Sequence, residues 1–330
     1  MTALRSLLIA LCASSLLACG GPPKQADGPK PNLDDPKPGP VAKGPDVSAE
    51  LGAARTALET KDYKGARKQA EAALVKAPKS AEANLILGIC DETEKKADDA
   101  VVHYKAALAS DPALTDASVN LSAILIDQKK YDDAIEVARA GIEKTKTAVD
   151  LHINLGWAFK GKGDHEKAAK AFKNATLLKP ADATLHLNLG DELREAGDKD
   201  GAQKAYKNAI AKAGDDVEVL AVAGIGLAQS GDAPGCVAAF DTVVAKKKTA
   251  TFVTERAICK HKAGDLAGAR ADLDASLAIE PTIKAHAAAG KYAEEAKDKK
   301  ACRKHFGEVA KMAKGTKIEE EAKKGMERCK

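Results

Sequence analysis

Aromatic side chains are scarce in this chain: five Phe, five Tyr and one Trp among 330 residues. So few rings argue against a β-sandwich or a TIM barrel and for helices packed closely through alanine. Net charge is nearly absent too. Fifty-two Lys and Arg face 48 Asp and Glu, for a formal balance of +4, too little for a nucleic-acid binder of this length. No apolar run reaches the roughly 20 residues that a membrane span needs. Catalytic signatures are also missing: the sequence holds no Gly-rich phosphate loop, HExxH, GxSxG or CxxCH. Cys259-Lys-His261 and Cys302-Arg-Lys-His305 lack the four-ligand set of a structural zinc site. The expectation is a non-enzymatic protein with no cofactor and no metal.

What is present begins with an address. The opening MTALRSLLIALCASSLLACGG places one Arg before a short apolar run, Leu7 to Ala18, the layout of a secretory signal peptide. Leu16-Leu17-Ala18-Cys19 resembles the lipobox of bacterial lipoproteins. That likeness implies cleavage after residue 18 and diacylglycerol on Cys19, because stable anchoring takes more than one acyl chain. Gly20, where Asp would signal inner-membrane retention, implies outer-membrane sorting. Residues 20–46 then hold eight of the 13 prolines and no aromatic residue, and read as a semi-rigid spacer.

The rest of the chain repeats itself. His-Ile-Asn-Leu-Gly at 152–156 returns as His-Leu-Asn-Leu-Gly at 186–190. Small residues recur at Ala54, Gly88, Ser122, Gly156, Gly190, Gly224, Ala257 and Gly290. A second series runs Ala66, Ala100, Ala134, Ala168, Ala202, Cys236, Ala269 and Cys302, in steps of 34 and then 33. Bulky residues follow four positions later at Tyr104, Phe172, Tyr206, Phe240, Leu273 and Phe306, one turn along the same helical face. Gly-Asp turns at 163–164, 197–198, 231–232 and 264–265 separate the two series, and Pro78, Pro112, Pro180 and Pro281 close their repeats. The pattern predicts helix–turn–helix units whose small residues let two antiparallel helices cross closely.

This pattern of Leu-Gly, aromatic, Ala, aromatic, Ala and Pro over 34 residues resembles the tetratricopeptide repeat. The resemblance implies an all-α, right-handed α-solenoid: eight repeats over 47–316 and a capping helix over 317–330, after a signal peptide (1–18) and a lipidated tether (19–46). It also implies a concave face built by the first helix of each repeat. Asn120, Asn154 and Asn188 stand on that helix two residues before the small position. In resembling proteins such an Asn bonds the backbone of an extended peptide, since an amide both donates and accepts. Helical spacing adds Asp116, Asp150, Trp157, Lys160, Asp191 and Arg194 to the groove. Val119 and Leu187 stand where a clamp for a free C-terminal carboxylate would need cations, so that mode is not expected.

Five cysteines follow Cys19: Cys90, Cys236, Cys259, Cys302 and Cys329. In an antiparallel hairpin, residues equidistant from the turn lie side by side. The midpoint of Cys236 and Cys259 falls among Lys246-Lys247-Lys248, and that of Cys302 and Cys329 at Gly315-Thr316. Both are expected turns, which predicts disulfides Cys236–Cys259 and Cys302–Cys329 with Cys90 free.

Two functions fit. The first is a lipid-anchored scaffold at the outer membrane, facing the periplasm, whose groove holds envelope proteins of a motility, pilus or secretion machine. The second is a regulatory adaptor for peptidoglycan hydrolases or the wall itself. It draws on residues 284–330, where 14 Lys and Arg outnumber eight Asp and Glu.

Overall fold

The computed structural model describes residues 45–330. The expected signal peptide, Cys19 and most of the tether lie outside the described residues. Seventeen helices fill the chain from Ser48 to Arg328, and the described residues include no strand. Sixteen of the helices form eight antiparallel hairpins. The first four hairpins pair α1 (Ser48–Glu59) with α2 (Tyr63–Lys76), α3 (Ala81–Thr93) with α4 (Ala97–Ser110), α5 (Thr115–Asp127) with α6 (Tyr131–Lys144), and α7 (Val149–Gly161) with α8 (His165–Leu178). The next two pair α9 (Ala183–Glu195) with α10 (Lys199–Lys212), and α11 (Val217–Gln229) with α12 (Ala233–Lys246). The last two pair α13 (Ala250–Lys262) with α14 (Leu266–Ile279), and α15 (Ile283–Glu295) with α16 (Lys299–Met312). The capping helix α17 (Lys317–Arg328) packs on α16 and α15.

Each hairpin turns through one residue in the left-handed region. In four repeats it is the expected glycine: Gly163, Gly197, Gly231 and Gly264. In the other four a lysine takes the same place, at Lys61, Lys95, Lys129 and Lys297, with φ between 58° and 62°. The following Asp caps the second helix in six repeats, as when the Asp198 carboxylate accepts from Gly201 N at 2.9 Å.

Packing within each hairpin obeys one volume rule. Where the second helix offers a ring, the first offers glycine: a Cβ on Gly88 would sit 2.5 Å from Tyr104, on Gly156 2.8 Å from Phe172, and on Gly190 2.7 Å from Tyr206. Gly224 faces Phe240 and Gly290 faces Phe306 in the same way. Where the ring is replaced by Ala70, Ala138 or Leu273, the facing residue grows to Ala54, Ser122 or Ala257, and all of these are buried. Burying each ring contributes about 1.5–3 kcal/mol. Tyr206 and Phe306 meet a second glycine from a later helix, Gly226 and Gly325 respectively, so the rings also lock neighbouring repeats and the cap together.

Contacts that skip one helix join odd-numbered helices, such as α5 to α7, α9 to α11 and α11 to α13. The first helices therefore form the tightly spaced inner wall, and the second helices the outer one. Cys236 lies 5.7 Å from Cys259, Cα to Cα, and ties α12 to α13 by a disulfide. Cys302 and Cys329, 6.0 Å apart, tie α16 to the end of α17. Cys90 is free and buried. Burial pushes its thiol up to about 11, which leaves it unreactive at neutral pH.

Two outcomes test this packing. Gly190→Ala drives a methyl into a ring already held by Gly226, and should cost about 1–3 kcal/mol in a denaturant melt. Gly52→Ala, on α1 with nothing within 4 Å of its added Cβ, should be neutral or stabilise by up to about 1 kcal/mol. The last hairpin should also be acid-sensitive. His286 Nδ1 lies 3.0 Å from His305 Nδ1. Burial holds both imidazoles below the usual histidine range, and His286 adds to the effect at His305. Such groups contribute stability that is complete above the unfolded value of about 6.5 and lost as pH falls below it. Thermal melts at pH 7.5 and 5.0 should show an acid-induced loss that shrinks in His305→Gln.

Candidate partner-binding groove

The inner wall is where the sequence placed a groove, and the 34-residue register sets out its side chains in rows. The row two residues before the small position holds Asn120 on α5, Asn154 on α7, Asn188 on α9 and Val222 on α11. The row one residue after it holds Trp157, Asp191 and Ile225. Asp116 is exposed at the start of α5 and Asp150 half-buried at the start of α7, both on the rim.

The three asparagines do not do the same work. Asn154 Nδ2 donates to Val119 O and to Ser122 Oγ, each at 2.9 Å, and so stitches α7 to α5. Asn120 Nδ2 donates to the Tyr104 hydroxyl at 3.2 Å, which donates to Glu92 Oε2 at 2.9 Å. Burial, with Glu92 beside it, holds that phenol far above its ordinary pKa. Asn188 is half-exposed and has no side-chain hydrogen bond within the described residues. The expectation of three equivalent, ligand-facing amides is therefore corrected. Two of them have a duty between helices, whereas the third, of the same intermediate burial, has none.

The ionic residues of the groove are also engaged. Lys160 Nζ lies 2.8 Å from Glu192 Oε1, and His165 Nδ1 lies 2.8 Å from Glu192 Oε2. Glu192 itself is fully buried, and the sequence reading passed over it. Asp191 Oδ1 accepts from the Tyr206 hydroxyl at 2.7 Å, and Arg194 pairs with Glu195 at 2.8 Å. Trp157 stands edge-on to Phe172, ring centroids 5.5 Å apart, with Lys160 Nζ 5.0 Å from its own centroid. One face of the wall thus keeps a 38% exposed indole beside cations and anions that already satisfy one another.

Two apolar residues extend that face. Val222 and Ile225 on α11 are 46% and 36% exposed. They occupy the rows of Asn188 and Asp191 one repeat later, so adding 34 to the predicted positions would have found them. His152 and His186 serve the scaffold: each Nε2 meets a loop carbonyl six residues back, Lys146 O at 3.2 Å and Pro180 O at 3.1 Å. Among the described residues, no group of three or more His, Cys, Asp or Glu could hold a metal ion.

The two kinds of Asn should separate in stability measurements. Asn154→Ala removes two bonds worth about 0.5–1.5 kcal/mol each and should lower the unfolding midpoint clearly. Asn188→Ala should stay within about 0.5 kcal/mol of the parent. Equal effects would deny the difference in role.

Comparison with known proteins adds the family. Tetratricopeptide-repeat profiles match residues 51–114, 93–152, 153–217 and 187–244, which together span more than half of the chain. No curated protein matches the sequence. A solved tetratricopeptide repeat protein from Parabacteroides merdae is 13% identical at a TM-score of 0.50, covering 71% of this chain and 93% of that one. PilF of Pseudomonas aeruginosa is 20% identical at a TM-score of 0.50, with 61% and 91% covered. YrrB, described as a repeat protein with an unusual peptide-binding site, is 18% identical at a TM-score of 0.48, with 56% and 96% covered. At these identities the likeness is one of fold. The eight hairpins, their glycine-seated rings and the matched profiles together make this chain a member of the tetratricopeptide-repeat family.

Proposed function

We propose that this protein is a lipid-anchored scaffold of the bacterial envelope, held at the outer membrane by Cys19 and facing the periplasm. Its groove holds an extended segment of a partner protein that helps assemble a motility, pilus or secretion machine. The repeat family is one of protein-interaction scaffolds, and the lipobox-like string followed by a Pro-rich spacer supports the anchored placement. One observation carries the binding mode. The groove's Lys160, Asp191 and Arg194 are all paired internally, while Trp157, Asn188, Val222 and Ile225 stay open to solvent. Such a surface recognises backbone and apolar side chains rather than charge.

Capture with the lipidated protein tests both halves of the proposal. Partner binding through the groove should survive about 0.5 M salt, where the Debye length is only a few Å. It should fall at least tenfold in a Trp157→Ala/Asn188→Ala variant whose melt is unchanged. Cys19→Ser should abolish palmitate incorporation. Capture that collapses in salt, ignores the groove variant and returns wall hydrolases would establish the adaptor reading instead. Unchanged labelling of the Ser variant would remove the anchor.

A further inference from the structure

At the opposite end of the array from α1, the first turn of α16 and the last residues of the chain enclose an open concavity of about 430 Å³. Its lining is Lys299, Lys300, Arg303, Cys329 and Lys330: four cationic side chains and no acidic one. The Cys302–Cys329 disulfide pins the two segments together, and Lys299 Nζ donates to the main-chain carboxylate of Lys330, so those two charges offset each other. This leaves Lys300, Arg303 and the Lys330 ammonium for a ligand, and all three residues are exposed.

Three carboxylates at this end of the array have other partners. Asp298 caps α16 by accepting from Ala301 N at 3.0 Å, and Glu294 holds Arg328 at 2.7 Å. Glu308 holds Lys311 at 2.7 Å. Among the described residues, Lys300, Arg303 and Lys330 make no side-chain ion pair, whereas Lys76, Lys162, Lys246 and Lys284 each reach an acid on a neighbouring helix or loop. Like charges held close repel unless a counter-charge enters. Here a covalent link keeps the two segments from drifting apart. A guanidinium fork that shares one lining with two ammonium groups suits the multiply charged oxygens of phosphate.

We propose that this pocket binds a multiply charged phosphate group, at a site separate from the concave groove. The chemistry is common to a free phosphate compound and to a phospholipid headgroup, and two arms of one experiment tell these sources apart. Inorganic pyrophosphate is titrated calorimetrically into the purified full chain at low salt, and flotation of the unacylated Cys19→Ser chain is measured with phosphatidylglycerol and phosphatidylcholine vesicles.

Pyrophosphate should bind at one site. Lys300→Ala and Arg303→Ala should each weaken it at least tenfold, Arg303→Lys should recover only part of the loss because the charge returns without the fork, and Lys323→Ala, outside the pocket, should change nothing. Cys329→Ser should weaken binding as well, with circular dichroism confirming that the variant remains helical. Flotation with phosphatidylglycerol alone, reversed by pyrophosphate, assigns the headgroup as source. Pyrophosphate binding without flotation assigns a free phosphate compound. Absence of pyrophosphate binding, or binding indifferent to Lys300 and Arg303, overturns the proposal.

Discussion

A ring seated on a residue with no side chain sets the geometry of every repeat that carries one. Tyr104, Phe172, Tyr206, Phe240 and Phe306 lie against Gly88, Gly156, Gly190, Gly224 and Gly290, and the distances leave no room for a methyl group at the tightest of these. A protein interior tolerates neither voids nor overlap. When the ring becomes Ala or Leu, the facing position therefore enlarges to Ala or Ser. The scarcity of aromatics follows from this arrangement: one ring on the second helix fills most hairpins, and alanine closes the rest of the contact.

Buried charge is handled by a second rule. Asp91, Glu192 and Asp272 are all buried, and each is met by two cationic or ionisable partners. These are Arg67 and His103 for Asp91, Lys160 and His165 for Glu192, and Arg256 and Lys260 for Asp272. Burial alone would raise the Asp272 pKa, yet the bonds from Arg256 and Lys260 hold it below the ordinary carboxylate value. An isolated charge in such a place would cost several kcal/mol. The groove's character follows, because Lys160 serves Glu192 before it can serve a ligand.

The fold was legible in the sequence because spacing encodes it. A small residue, a second small residue and a bulky one, returning every 34 positions, leave few arrangements besides stacked hairpins. The Gly-Asp turns were visible at 163–164 and three later repeats. The equivalent lysines at 61, 95, 129 and 297 were not, since a lysine carries no local sign that its backbone will turn left-handed. The groove was legible only in part. Trp157 stood out as the single indole, but nothing in its string distinguishes Asn154 from Asn188.

By itself, then, the sequence determined the repeat, its register and the helix on which each candidate side chain sits, because these depend on local periodicity. Tertiary structure decided which of those side chains remain available. Asn154 finds Val119 and Ser122 only once α7 rests on α5, and Lys160 finds Glu192 only once α7 and α9 are stacked. Hydrogen bonds and ion pairs between repeats join residues about 30 positions apart. Their partners depend on the angle at which one hairpin meets the next, which the side-chain volumes of the whole interface set.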